Sequence, residues 1–184
     1  MNSKMPPWFS QLITIQKEQG NSKSCRWIQF ATLGLDNTPR VRTVVFRGWS
    51  DSYEMILFTD KRSQKYYELE RNNNVEIIWL FYESKCQFRF RGNSKIDNSK
   101  DRLLYWNKLN TKAKLMWGWP RPGSEITSLN KNNKLEKKTS TCFNNFCLLK
   151  IDIFHVDQLL LCDPTHVRNS WRRTDEWIEK RINP

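Results

Sequence analysis

Glycine and histidine are scarce in this chain, with six glycines and two histidines among 184 residues. No GxxxxGK motif followed by Ser or Thr occurs, and no GxGxxG, so the standard glycine-rich nucleotide loops are excluded. GxSxG is missing too, and with His155 and His166 as the whole histidine supply a serine-hydrolase set is poorly served. The acidic residues form no evident catalytic pair. The five cysteines, at 25, 86, 142, 147 and 162, are odd in number and none has CxxC spacing. No zinc pattern emerges, and reduced thiols in the cytoplasm are the simplest reading. Long apolar runs are absent: the opening MNSKMPPWFSQL has none of signal length, and nothing later approaches a membrane span.

What the chain does have is aromatic bulk and positive charge. Apolar residues make up 38% and aromatics 13%, enough for one domain with a real core. The nine Trp residues read first as core filling, and second as the lining of a site for a flat ligand. The formal net charge of +12 is spread along the chain rather than gathered in a tail. Such a charge suits nucleic acid, acidic lipid or phosphorylated small molecules.

Periodicity gives the elements. Pro6 to Gly20 places Trp8, Leu12 and Ile15 at helical spacing. Arg26–Gly34 and Val41–Trp49 read as strands around the turn Leu35–Arg40, a hairpin. A third strand spans Glu54–Asp60. A helix follows over Arg62–Asn72, with Ser63 near its start and Tyr66, Leu69 and, at its margin, Tyr67 on the packed face. Asn74–Tyr82 and Lys85–Ile96 read as strands, the latter alternating Phe88 and Phe90 with polar neighbours. Ser99–Trp119 is helical in two pieces, ended by Pro120–Glu125. The polar stretch 126–140 reads as a mobile surface loop, and Phe146–Leu161 resumes strand character. Many short strands and few helices predict a mainly β fold with peripheral helices, a closed or nearly closed antiparallel barrel forming one domain over 1–184.

Two stretches carry the chemistry. In RTVVFRG, Arg42 and Arg47 bracket an apolar strand. FTDKRSQK runs a strand end into hydroxyls and cations. If the two strands pair, Arg42, Thr59, Ser63 and Lys65 form a phosphate cradle of guanidinium, hydroxyls and ammonium, strengthened by backbone N–H groups at the following helix start. The bland alternative is a solvated basic edge. His155 lies in an apolar run and reads as structural, whereas His166 shares a loop-like segment with Arg168 and is the better site candidate. An anion cradle without acid–base machinery points to a cofactor that supplies the reactivity.

In this order the motifs resemble those of the pyridoxamine 5′-phosphate oxidase-like flavoproteins, which have the FMN-binding split β-barrel fold. RTVVFR, FTDKRSQK and CQFRFRG carry the resemblance, which runs from about Pro6 to Pro184. PPWFSQL and WPRPGS are similar to a cyanobacterial subfamily of pyridoxamine-phosphate-oxidase-related FMN-binding proteins. The resemblance implies FMN as cofactor, with Arg42 and Lys65 on its phosphate and Thr59 and Ser63 adding hydrogen bonds. Phe58 and Gln64 belong to the same motif. Thr43, Val44, Val45 and Phe46 would run along the isoalloxazine, and Gln87 would meet its pyrimidine side. Gly123 and Ser124 match a family Gln-Ser pair, and Arg168 or Trp171 would cover the ring. Arg47, Tyr105, His166 and Arg168 would face a small-molecule substrate. The resemblance further implies a homodimer with FMN between subunits, an oxidoreductase without a side-chain base, and no metal.

The departures are specific. The family's Ser-Arg-Lys is Ser63-Gln64-Lys65 here, and a strand-end Lys is Arg47. Asn110 stands near the place of a substrate-phosphate Arg, and an Arg-x-His is reversed as His166-Val167-Arg168. FMN binding is therefore better supported than pyridoxamine phosphate oxidation. Two alternatives stand beside it: a basic nucleic-acid-binding barrel module, and a haem-handling split barrel without oxidase activity.

Overall fold

The computed structural model describes residues 5–19, 23–97, 99–126, 141–162 and 164–184. The loop expected at 126–140 lies, beyond its first residue, outside them. Helix α1 (Pro7–Glu18) starts with proline in its first turn, where a missing N–H costs nothing, and turns Trp8 and Leu12 inward. Strands β1 (Trp27–Leu33) and β2 (Pro39–Trp49) form the expected hairpin, with Phe30 opposite Arg42. Strand β3 (Met55–Asp60) leads into helix α2 (Gln64–Arg71), followed by β4 (Asn74–Phe81) and β5 (Cys86–Asp97). Helices α3 (Asp101–Asn107) and α4 (Thr111–Leu115) and a 3-10 turn over Met116–Gly118 make up the two-piece helical region. The long β6 (Phe146–Leu160), β7 (Val167–Arg172) and β8 (Lys180–Ile182) close the chain.

The sheet order is β3-β2-β1-β4-β5-β6-β7-β8, and a further pairing of β3 with β6 closes the first six strands into an antiparallel barrel. Strand β6 serves two edges in turn. Phe146–Ile151 pairs with β3, whereas His155–Leu160 pairs with β7, so β7 and β8 extend away from the closed wall. Two irregularities re-aim side chains. In β2 the register skips Arg47, between Phe46 opposite Leu57 and Gly48 opposite Ile56. Such a bulge bends the strand and frees its extra residue from the inward–outward alternation. Gly48 has φ 141°, a conformation that suits glycine. In β6 the register skips Phe154, opposite the Arg91–Gly92 step. A Cβ on Gly92 would approach Asp152 O to 2.7 Å, so glycine is required there.

Alternation fills the barrel. Ile28 and Phe30, Ile77 and Trp79, Phe88 and Phe90, and Leu149 and Ile151 all point inward. Trp8, Trp79, Trp106 and Trp171 are fully buried, which bears out the core-filling reading for four of the nine. A second apolar cluster lies outside the wall. Phe146 packs against Phe58 (5.0 Å between ring centroids), Trp106 (5.3 Å) and Trp117 (4.8 Å), so α3 and the 3-10 turn cover β3 and the start of β6. In α2, Leu69 is buried and Tyr66 packs on the core as expected, but Tyr67 is exposed. The third inward residue is Glu68, wholly buried. Period alone does not place a carboxylate there, because the cation that holds it comes from β2.

Candidate functional site

The cradle expected from the two motifs is built at the β3–α2 junction. Thr59 ends the inward row of β3, and the turn after it brings Ser63 back as the residue preceding α2. The Thr59 and Ser63 hydroxyls lie 3.3 Å apart, and Ser63 Oγ donates to Asp60 O at 2.6 Å. Ser63 therefore makes no capping bond to α2, whose first-turn N–H groups lack a side-chain acceptor. Lys65 Nζ donates to Ser63 Oγ at 3.3 Å. Burial pushes the Lys65 pKa down, and the nearby Arg42 guanidinium pushes it further. Two cations thus stand beside uncapped backbone donors, with the Asp60 and Glu68 carboxylates offsetting part of their charge.

Arg42 is anchored from behind. Its Nη2 donates to Glu68 Oε2 at 2.8 Å, and its Nη1 donates to Thr32 Oγ1. Thr32 in turn donates to the same Glu68 oxygen at 2.5 Å. Glu68 Oε1 is buried without a hydrogen-bond partner. The carboxylate fixes the guanidinium by a charge-assisted bond and neutralises part of its charge.

A cavity of about 260 Å³ opens beside the cradle. Thr59, Asp60 and Lys65 line one end, and Leu109, Ala113, Met116, Trp117 and Pro122 roof the other, with Phe58 and Arg47 on the floor. The bulge in β2 sets Arg47 over the Phe58 ring, 5.0 Å from its centroid. Arg47 makes no ion pair or hydrogen bond among the described residues.

The roof is tied down by a polar network that the sequence reading missed. Asp60 accepts from Arg62 Nη2 at 2.7 Å and from Asn145 Nδ2 at 2.8 Å. Burial opposes the Asp60 charge, but the hydrogen bonds from Arg62 and Asn145 outweigh it and lower its pKa. Asn145 Nδ2 also donates to Trp117 O at 2.9 Å, Arg62 Nη2 to Trp119 O at 3.0 Å, and Arg121 Nε to Arg62 O at 3.2 Å. One acidic side chain thus couples the cradle turn to the roof. Asn145 sits in a turn before β6, 85 positions from its partner, and no local pattern signals it.

The other expected residues divide. Val44 and Phe46 turn into the barrel, leaving Thr43 and Val45 on the outer face. Gln64 is exposed at the start of α2. Gly123 (φ 80°) and Ser124, which donates to Arg121 O at 2.8 Å, are exposed just past Pro122 at the cavity rim. Tyr105 packs edge-on against Phe58 at 5.8 Å, beside the cavity. Asn110 caps α4, accepting from Ala113 N at 2.9 Å, while its neighbours Leu109 and Ala113 reach the cavity.

Trp171 is a correction. The resemblance implies Arg168 or Trp171 as the cover of the ring, but Trp171 is fully buried in the barrel core, because β7 presents it on the same inward face as Val156 of β6. Gln87, His166 and Arg168 do not join the cradle. Cys86 and Phe88 point inward, so Gln87 points outward from β5, three places around the six-strand ring from β2. Arg168 pairs with Leu159, thirteen positions from Phe146 and on the order of 40 Å along the strand. His166 is exposed at that end, its Nδ1 3.3 Å from Cys162 O. Arg168 and Arg89 share Asp157 Oδ2, at 3.0 and 2.5 Å. His155 Nε2 lies 3.1 Å from Asp157 Oδ1 and 3.0 Å from Ser170 Oγ, so His155 is structural as expected.

Four similarities place the chain among known proteins. A family model described as the pyridoxamine 5′-phosphate oxidase FMN-binding domain matches residues 5–98. The pyridoxine/pyridoxamine 5′-phosphate oxidase 2 of Arabidopsis thaliana is 28% identical over 198 residues, covering 100% of both chains. The crystal structure of a pyridoxamine 5′-phosphate oxidase-related, FMN-binding protein of Nostoc punctiforme superposes with a TM-score of 0.88 at 28% identity, covering 99% of this chain and 100% of that one. PhzG of Burkholderia lata shares the fold, with a TM-score of 0.83 at 14% identity over 96% of this chain and 91% of its own. The mainly β split barrel expected from the sequence is the fold observed.

Proposed function

Because the chain belongs to the pyridoxamine 5′-phosphate oxidase FMN-binding domain family, we propose that it is an FMN-dependent oxidoreductase of the cytoplasm that works as a homodimer on a small-molecule substrate. The observation that carries this reading is the Thr59–Ser63–Lys65 cradle. It holds a half-buried ammonium that makes no direct ion pair among the described residues, two hydroxyls and an uncapped helix start. That donor set fits a phosphate, which takes hydrogen bonds at several oxygens and returns the charge that Lys65 lacks.

In this reading Lys65 and the α2 backbone hold the phosphate, Thr59 and Ser63 orient it, and Arg42 adds charge from behind while Glu68 fixes its direction. The β2 segment Thr43–Phe46 presents its outer backbone edge to the ring, and Gly48 lets the strand turn away. FMN supplies two-electron redox chemistry when bound. Arg47 stands at the substrate side, and the roof over Leu109–Pro122 excludes water from the reacting face. The chain's own cavity is below the roughly 300–1,000 Å³ usual for cofactor sites. This supports a ring that extends past the cavity mouth to be covered by a second copy. A twofold would bring Gln87, His166 and Arg168 of that copy to the mouth, which one chain cannot do. Five free cysteines support a reducing compartment.

Titration of FMN-free protein with FMN, followed by flavin fluorescence, tests the reading. Saturable quenching with one flavin per chain is expected. A chain that takes up no FMN, yet binds oligonucleotide with steep salt dependence, would establish the nucleic-acid alternative instead. The haem alternative is left with His166, since His155 Nε2 is held by Asp157 and Ser170.

A further inference from the structure

A phosphate at Lys65, Thr59 and Ser63 occupies one end of the cavity. The other end is chemically different. Its walls are Leu109, Ala113, Met116 and Trp117, and its charge is the Arg47 guanidinium stacked on Phe58. Asp60, the cavity's carboxylate, is already taken by Arg62 and Asn145. Arg47 has no counter-charge among the described residues. Although open to solvent on one side, its charge is disfavoured by partial burial and by the Arg26 guanidinium. An unpaired guanidinium over an apolar floor is a strong anion acceptor, and its planar fork matches a carboxylate at two points.

The apolar lining sets a limit on that anion. A phosphate ester is dianionic, and its lost hydration must be replaced by several donors converging on three oxygens. Leu109, just before the α4 cap, and Ala113, within α4, both reach the cavity and donate nothing from their side chains, while Asn110 between them is turned into the α4 cap. Lys112 and Lys114 do not line the cavity, and Lys114 lies over the Trp106 ring instead.

Resting on the reading that the Lys65 end takes the cofactor phosphate, we infer that the Arg47 end is the substrate subsite and selects a flat apolar ring bearing a single carboxylate, in preference to a phosphate ester. The ring lies against Leu109, Met116 and Trp117, and the carboxylate meets Arg47. Leu109 and Ala113 are then specificity-determining by what they omit.

Three probes decide this: benzoate, phenyl phosphate and benzyl alcohol. All three are titrated into FMN-loaded protein, read by the flavin difference spectrum; benzoate and benzyl alcohol alone are also titrated into FMN-free protein, read by tryptophan fluorescence, because the empty Lys65 end would itself take phenyl phosphate. Benzoate should saturate and bind about tenfold or more tighter than either other probe, the margin of a charge-assisted hydrogen bond. Arg47→Gln should erase that margin while benzyl alcohol binding stays as it was, which also shows that the variant is folded. Leu109→Arg should reverse the order in favour of phenyl phosphate. Phenyl phosphate binding the FMN-loaded protein as tightly as benzoate, or a benzoate preference that survives Arg47→Gln, would overturn the inference. The two readings fail separately. FMN uptake without a benzoate preference removes the subsite alone. An Arg47-dependent benzoate preference in a chain that refuses FMN upholds the subsite and removes the cofactor assignment.

Discussion

Replacing Lys65 with Met separates binding from folding at the cradle. In the FMN-free chain the Lys65 ammonium is disfavoured, first by burial and then by Arg42, and its one hydrogen bond is a 3.3 Å contact to Ser63 Oγ. Methionine keeps the apolar stem and removes the repulsion. Folding stability should therefore change by less than about 0.5 kcal/mol, or rise. FMN affinity should move the other way. Losing a hydrogen bond to a charged phosphate costs about 1.5–3 kcal/mol, or roughly 10–150-fold in dissociation constant. The assays are flavin fluorescence titration and urea unfolding of the FMN-free protein. There is a pH signature as well. The folded-state pKa of Lys65 lies below its ordinary 10.5, so between the two values the unfolded chain binds more protons and native stability rises with pH. Lys65→Met should lose that slope. FMN affinity within about threefold of the parent, or marked destabilisation at neutral pH, would refute the reasoning.

Arg42 would be the poorer choice for the same experiment. Its removal leaves Glu68 wholly buried with neither oxygen ion-paired. Breaking a buried pair in this way costs about 3–5 kcal/mol of folding stability, and a fall in FMN binding could then not be separated from unfolding. The cleaner variant is Glu68→Gln, which keeps the shape and frees Arg42 from its counter-charge.

Sedimentation of FMN-loaded protein should show one dimeric species. Leu80→Asp, on the exposed outer face of β4 near Tyr82 and Trp27, should yield monomer that loses flavin, whereas monomer that keeps its flavin would refute the shared site. Turnover of pyridoxamine 5′-phosphate to the aldehyde in oxygenated buffer should stay well below about 1 per second, and a faster rate would show that Leu109 and Ala113 do not limit phosphate esters. Asp157→Asn should destabilise the protein by about 1.5–3 kcal/mol at pH 7, the scale of a hydrogen bond to a charged group. Burial opposes the Asp157 charge, but hydrogen bonds from Arg89, Ser170 and Arg168 hold its pKa below the ordinary 3.8. Its contribution is thus present above that value and lost as pH falls below it, so the two unfolding curves should converge in acid. Phe146→Ala should cost about 3–5 kcal/mol, since that ring joins α3, the roof and β3, and near-neutral behaviour would show that the outer cluster is not cooperative with the barrel.

How much of this was legible follows from the range of each signal. Phe88 and Phe90 alternate with Gln87, Arg89 and Arg91, so β5 and its inward face could be read from period two. The bracket of Arg42 and Arg47 could be read as a site, but not the bulge that aims Arg47 over Phe58, because a register shift is a property of two strands. Glu68 carries no local sign of its burial, since its partners Arg42 and Thr32 come from other elements. Asn145 and Asp60, 85 positions apart, carry no local sign of each other. Motif order offers Arg168 or Trp171 as a cofactor cover, but β7 turns Trp171 inward, and one step of strand phase decides between the two faces.

The long β6 explains why the expected site residues fall into two groups. Its first half closes the barrel against β3, next to the cradle, and its second half releases that edge to pair with β7. Arg42, Arg47, Thr59, Ser63 and Lys65 gather at the first half. Arg168 and His166 lie at the second, and Gln87 faces away on β5. A single barrel cannot fold these groups together without breaking the β3–β6 closure. A twofold contact that set the second half of one β6 beside the first half of the other would join them, and an isologous contact would repeat the arrangement at both sites. Trp27, Leu80 and Tyr82 leave apolar surface exposed on the outer faces of β1 and β4 and just past the end of β4, between the strands that carry the two groups. The separation of the groups along β6 is therefore an argument for assembly: if both serve one flavin, the chain must meet a second copy of itself there.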